Sequence, residues 1–266
     1  MSRAKLEAVL RDIGPLAVAV SGGVDSLTLA VLAHPLLGKG RALMAHAVSP
    51  AVQPEGTDRV RLHAAREDWD LTVVQAGEFD DPDYRANPVN RCFFCKMNLY
   101  AVVAAHTDRP IVSGANLDDL GEYRPGLDAA QKHAVRHPYV EAGFDKAAVR
   151  ALARELGLAD VADLAASPCL SSRVETGIRI EADTLAFVHA AEQLVQTALQ
   201  PNTVRCRVRG EGVVIELDAA AHDRLSPEDA QGLTARIRAA APPRVDASSL
   251  RFAPYRVGSA FLVHAR

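Results

Sequence analysis

An α/β fold built on a parallel sheet with flanking helices, followed by a smaller α+β domain, is what this sequence predicts. Three observations carry the prediction. Short apolar runs alternate with amphipathic stretches through the first two thirds of the chain. The run at 16–20 (LAVAV) is apolar without interruption, as in strands buried on both faces of a parallel sheet. After about residue 178 the alternation gives way to one long helical stretch and a hairpin pattern. Repeated strand–helix alternation implies right-handed crossovers. The 266 residues make room for two domains, at about 150 residues each, placed at 1–178 and 179–266.

The elements follow in order. MSRAKLEAVLRDIG reads as an amphipathic helix with Leu6, Val9, Leu10 and Ile13 on one face. The strand at 16–20 ends at Ser21-Gly22-Gly23, and 25–33 is helical. A strand at 42–48, a helix at 57–68 and a strand at 71–74 come next. Residues 78–90 are polar and proline-bearing and read as a long loop, a class that is often functional. A helix at 95–106 precedes a strand at 110–113 that closes at Gly114. Residues 145–156 carry Ala148, Val149, Leu152 and Leu156 at helical spacing and stop at Gly157. In the second domain a helix at 181–199 precedes a hairpin of 203–209 and 212–218. A helix at 227–240 and short strands at 244–246 and 260–264 complete it.

Composition narrows the function. Apolar residues at 48% and charged residues at 24% describe a globular chain rather than a disordered one. Lys+Arg 30 against Asp+Glu 33 leaves −3. No global basic field points to nucleic acid or to an acidic membrane, so nucleic acid is disfavoured as a partner. The longest apolar stretch, 27–37, is interrupted by Thr28, His34 and Pro35 and is too short to span a bilayer. The N-terminal residues lack the apolar core of a secretory signal. Four cysteines are too few for a disulfide scaffold at this length. The expectation is a cytoplasmic, reducing location without a membrane.

Chemistry concentrates at Ser21, Gly22, Gly23, Val24, Asp25 and Ser26. Ligands of open α/β sheets bind beyond the carboxyl ends of strands. The glycines let the backbone turn tightly, and the next helix aims its unpaired N–H groups and positive dipole end at the same place. Phosphate is the natural occupant. Asp25 suits that field if Mg²⁺ shares the site. The lysine of a Walker A loop is absent.

The cysteines come next. Cys92 and Cys95 form a CxxC in NRCFFCK, and Cys169 lies in SPCLSSR. A lone CxxC fits redox chemistry, half a zinc site or cluster ligands. Three thiolates can hold a [4Fe–4S] cluster through three irons and leave the fourth open. Arg91, Lys96 and a helix start would favour the thiolates. Cys206 shares a strand face with Val204 and Val208 and reads as core packing.

Two further groups stay open on residues alone. Asn116, Asp118 and Asp119 follow the fourth strand and suit either Mg²⁺ binding or helix capping. Arg205, Arg207 and Arg209 alternate along one strand and form either a solvated face or an anion-binding wall. Arg173 has the chemistry to pair with a phosphate or an acceptor carboxylate.

SGGVDS resembles the PP-loop of the ATP pyrophosphatase superfamily, with its adenine nucleotide alpha hydrolase-like fold. In that superfamily the loop grips the β,γ-phosphates of ATP while a substrate oxygen attacks the α-phosphate. Taken with NPVNRCFFCK, SGANLDDLGEYRPG, EAGFDKAAVRALARELGL and PCLSSR, in that order over about residues 15–180, the chain resembles the LarE family of ATP-dependent sulfur transferases. The resemblance implies adenylation of a carboxylate on a pyridinium mononucleotide. Sulfur then replaces AMP, on the way to a nickel-pincer cofactor.

The family draws its sulfur in two ways. Either the cysteine of the PCL motif gives up its own sulfur, or that cysteine and a CxxC pair hold a [4Fe–4S] cluster that carries hydrosulfide. Cys92, Cys95 and Cys169 match the second type. The resemblance also implies a substrate-proximal loop with Glu122, Tyr123 and Arg124, and phosphate ligands at Arg205 and Arg207. It further implies acidic positions at Glu192, Glu216 and Asp223 and self-association through the small domain. After Ser-Ser-Arg the family usually continues Ile-Pro-Tyr-Gly, where this chain has Val174-Glu175-Thr176-Gly177. A tRNA thiolase, an ammonia-using synthetase and a non-catalytic nucleotide sensor are the rival functions that the same loop allows.

Overall fold

The computed structural model describes residues 2–121, 123–165 and 167–261. It forms two compact units, one of residues 1–78 and 92–167 and one of residues 79–91 and 168–266. The sequence reading set a single division at 178; here the second unit also takes in 79–91 and 168–178.

The first unit alternates strands and helices. In chain order these are α1 (Arg3–Ile13), β1 (Leu16–Ala19), α2 (Val24–Leu37), β2 (Ala42–Val48), α3 (Pro54–Glu67) and β3 (Asp70–Gln75). After the short α4 (Pro82–Arg85) of the second unit come α5 (Arg91–His106), β4 (Ile111–Val112), α6 (Pro125–Lys132), α7 (Pro138–Ala142), α8 (Lys146–Glu155) and α9 (Ala159–Ala162). All four strands are parallel, in the order β3-β2-β1-β4.

Both faces of the sheet are covered, which explains the uninterrupted LAVAV. Leu16 and Val18 join Met44 and Val112 in a core with Leu6, Leu10, Leu27 and Val149. Ala17 points the other way, to Leu43, Ala45, Tyr100, Val103 and Ala130. Alternate residues of one strand therefore feed two cores. α1 starts where Ser2 accepts the Lys5 N–H, and α8 where Asp145 accepts the Ala148 N–H.

Several elements differ from expectation. α2 runs four residues beyond 33, with Pro35 inside it, and ends where the Gly38 N–H donates to the His34 carbonyl. The stretch at 78–90 is not a plain loop: a 3₁₀ turn, Glu78–Asp80, and α4 occupy it. α5 begins at Arg91, so both Cys92 and Cys95 are helical and share one face.

The second unit holds α10 (Ala182–Leu199), β5 (Val204–Arg209), β6 (Gly212–Leu217), α11 (Ala219–Arg224), α12 (Pro227–Ala240) and β7 (Arg251–Pro254). β5 and β6 form the expected antiparallel hairpin. The strand expected at 244–246 is a turn closed by the Val245 N–H on the Pro242 carbonyl, after two prolines that cannot feed a ladder. β7 takes its place, parallel to β6. Of the strand expected at 260–264, residues 262–264 lie outside the described residues. Asn87, fully buried at φ +55, ties 79–91 to this unit by donating to the Glu175 and Ile178 carbonyls (2.8 and 2.9 Å). No helix among the described residues is long and apolar enough to cross a membrane.

Candidate active site

The strand order reverses between β1 and β4: α2 carries the chain from β1 to β2 on one side, and β4 arrives later on the other. Such a switch point is the usual ligand position in open α/β sheets. Residues 21–26 follow β1, and 113–119 follow β4.

The loop is locked from behind. Gly22 adopts φ +82, and a Cβ there would lie 2.3 Å from the Gly56 carbonyl oxygen in the first turn of α3. Only glycine satisfies both conditions. Gly114 fits as tightly, its would-be Cβ lying 2.9 Å from the Asp25 carbonyl carbon. Buried Ser26 works inside the loop, accepting the Ser21 N–H at 3.0 Å and donating to the Gly23 carbonyl at 3.3 Å. Gly23 caps α2 without any side-chain acceptor, so the first-turn N–H groups from Val24 onward have no side-chain cap. Arg59, for which the sequence carries no local signal, donates Nε to the Gly22 carbonyl at 2.9 Å.

His46 of β2 braces the strand that leads into the loop. It is 1% exposed. Its Nδ1 lies 2.8 Å from the Val20 carbonyl and its Nε2 2.9 Å from the Thr57 hydroxyl. Burial pulls its pKa below 6.5, as it does for His63 and His137. The unfolded chain therefore takes up these protons first. Stability is complete above about pH 6.5 and falls as pH drops below it. We expect a lower urea midpoint at about pH 5.5 than at about pH 7.5, with a smaller difference in His46→Gln. An unchanged difference in that variant would remove His46 from the account.

Asp25 is half-buried and held on three sides. Lys146 Nζ lies 2.5 Å from Oδ2, Asn116 Nδ2 donates to Oδ1 at 3.2 Å, and the Tyr139 hydroxyl donates to the Asp25 carbonyl at 3.1 Å. Burial, with the Asp25 charge adding to it, pushes the Tyr139 pKa up and keeps that hydroxyl protonated. Lys146 thus supplies a cation that the loop itself lacks. The DKAAVR segment held the only sequence signal for it.

Asn116, Asp118 and Asp119 are linked by hydrogen bonds to backbone N–H groups. Asp119 accepts the Asn116 N–H (3.0 Å), Asn116 accepts the Asp118 N–H (3.1 Å), and Asp118 accepts the Lys146 N–H (3.2 Å). Arg124 pairs with Asp119 at 3.0 Å. Glu122 lies outside the described residues.

Cys92 and Cys95 belong to the first unit and Cys169 to the second; all three are half-buried, and no disulfide involves any cysteine. Arg91 is buried, donates to the Asn87 side chain and lies over the Phe261 ring, while Lys96 lies over the Tyr100 ring. Cys206 is fully buried, and burial drives its pKa well up, as a packing role requires. Among the described residues no group of three or more His, Cys, Asp or Glu side chains is set to hold a metal ion.

In the second unit two of the three ridge arginines are paired with a carboxylate. Arg207 is 4% exposed and pairs with Glu216 at 2.9 Å; Arg209 reaches the same carboxylate at 2.8 Å. Arg205 is half-buried beside Tyr255, its pKa lowered by burial and then by Arg173. Arg173 is 0% exposed. It pairs through two nitrogens with Glu192 (3.0 and 3.1 Å) and donates to the Pro168 and Cys169 carbonyls. It is thereby tied to the backbone at Cys169. Glu192 and Glu216 neutralise these arginines and Asp223 is exposed, so the three make no cation cluster.

No protein-family model matches the chain. It is 37% identical over 224 residues to an uncharacterized protein of Synechocystis sp., covering 82% of each. It is 31% identical over 222 residues to pyridinium-3,5-bisthiocarboxylic acid mononucleotide synthase of Lactiplantibacillus plantarum, covering 82% of this chain and 80% of the other. An uncharacterized protein of Methanocaldococcus jannaschii is 23% identical over 205 residues, 76% of this chain and 77% of its own. At that identity and coverage the second relative decides the family: the chain belongs to the LarE family of sulfur transferases.

Proposed function

We propose that the chain uses ATP to adenylate a carboxylate on a small, nucleotide-like acceptor and then exchanges AMP for sulfur, in the making of a nickel-pincer cofactor. The observation that carries the reading is the uncapped start of α2 behind a glycine-locked loop, with one carboxylate, Asp25, steadied by Lys146. The relative's name supplies the acceptor class.

In the first step an acceptor carboxylate oxygen attacks the α-phosphorus. The bond from that phosphorus to the bridging oxygen breaks, and pyrophosphate leaves with the electron pair. The α2 N–H groups and Ser21 cradle the departing phosphates, and Lys146 offsets their charge. Positioning and charge neutralisation do most of the work. Mg²⁺ binds through one or two carboxylates with substrate phosphates, and a lone half-buried carboxylate beside a phosphate cradle fits that pattern. Asp25 would hold the ion, which neutralises the phosphates. In the second step a sulfide attacks the acyl carbon and AMP leaves, giving a thiocarboxylate.

The donor chemistry of Cys92, Cys95 and Cys169, three thiols outside any disulfide, fits a [4Fe–4S] cluster with one open iron. These residues would hold the cluster, and when bound it would supply the sulfide. Arg173 and Glu192 fix the Cys169 turn. Arg205 is assigned the acceptor phosphate, and a homo-oligomer in the cytoplasm is the expected working form. With a pyridinium carboxylate mononucleotide as acceptor, the protein should turn ATP into AMP and pyrophosphate; ADP and phosphate as products would overturn the reading.

A further inference from the structure

We propose that Arg59 is a ligand of the departing pyrophosphate, delivered to the loop by α3; this rests on the adenylation reading above. The guanidinium is anchored by one nitrogen alone: Nε donates to the Gly22 carbonyl at 2.9 Å. Neither Nη has a hydrogen bond, and the side chain has no ion pair, among the described residues. The residue is half-buried, so the two Nη groups remain reachable from solvent. The cation is therefore fixed to the phosphate loop itself while its two strongest anion-binding donors stay unused.

The anchor is rigid. Gly22 is pinned against Gly56, three residues before Arg59 on the same helix, and a Cβ on Gly56 would lie 3.2 Å from the Ser21 carbonyl oxygen and 4.0 Å from Arg59 Nη2. Thr57, the residue after Gly56, holds His46. A planar fork held at one corner suits two oxygens of a phosphate. Bond breakage at the α-phosphorus leaves a new negative charge on the oxygen that becomes part of pyrophosphate. Arg59 would meet that charge from the α3 side, where Lys146 meets it from the α8 side. Together they replace the single lysine that other phosphate loops carry.

The test compares wild type with Arg59→Met and Arg59→Lys, using magnesium pyrophosphate and AMP as separate inhibitors of ATP turnover. Arg59→Met should weaken pyrophosphate inhibition at least about tenfold, as expected for a lost charge-assisted pair. AMP inhibition should stay within about twofold. Arg59→Lys should fall between, since it keeps charge but loses the fork; it also serves if the Met variant does not fold. Unchanged pyrophosphate inhibition overturns the proposal and leaves the adenylation reading intact. Equal weakening of both inhibitors also overturns it, marking Arg59 as a brace only. A wild type that neither makes nor is inhibited by pyrophosphate sinks the adenylation reading as well.

Discussion

Gly22→Ala should lower ATP turnover by at least about 10²-fold, the scale set by misplacing a reacting group by an ångström. It should also destabilise the protein by about 2–4 kcal/mol, combining a strained positive φ with overpacking. Both effects have one source. At φ +82 an L side chain is strained, and its Cβ would stand 2.3 Å from a backbone oxygen of α3 that has no rotamer by which to withdraw. The loop must shift, and with it the Ser21 N–H, the Arg59 anchor and the start of α2. A melting curve alongside steady-state turnover checks both. Gly38→Ala is the control: φ is also positive, but no atom lies within 4 Å, so strain appears without loss of turnover. Full turnover in Gly22→Ala would show that the loop geometry is not used.

Cys169→Ala should abolish sulfur transfer while leaving pyrophosphate release within about threefold of wild type, since the reacting phosphorus belongs to an earlier step. Cys169 is the N-cap of a 3₁₀ turn, Leu170–Arg173, and Arg173 donates to the Pro168 and Cys169 carbonyls just before it, so removing one sulfur leaves the turn supported. Cys92→Ala separates the two sulfur sources. If a cluster delivers the sulfide, Cys92→Ala loses transfer too, together with the iron of anaerobically purified protein. If Cys169 gives up its own sulfur, Cys92→Ala keeps one turnover per chain and Cys169 ends as dehydroalanine, a mass loss that intact-protein mass spectrometry reads. Loss of pyrophosphate release in Cys169→Ala would break the proposed order of steps.

The sheet was legible because its central strands are buried on both faces and so lack any polar interruption, as in Leu16, Ala17 and Val18. The glycine loop was legible because a positive φ and a close backbone approach at Gly22 admit only glycine. Partners distant in the chain were not. Lys146 meets Asp25 across 121 positions and Arg59 meets Gly22 across 37, and neither separation leaves a periodic trace. The arginine ridge shows the boundary between the two. Its period of two along β5 was plain, but its neutralisation depends on hairpin register, which sets Arg205 opposite Glu216 and puts that carboxylate on the ridge's own face. Residues 79–91 escaped for a different reason: Asn87 joins the second unit through its side-chain amide, and amide partners are not written in composition. β7 is only four residues long and ends in Pro254, too short for any alternation to stand out.

Isotope transfer tests the central claim most directly. An acceptor carrying ¹⁸O at both oxygens of its carboxylate is turned over with unlabelled ATP in ordinary water. The account predicts one ¹⁸O per AMP and none in pyrophosphate, because the carboxylate oxygen that attacks the α-phosphorus leaves with AMP when sulfur takes its place. AMP free of label, or label in the pyrophosphate, would contradict it.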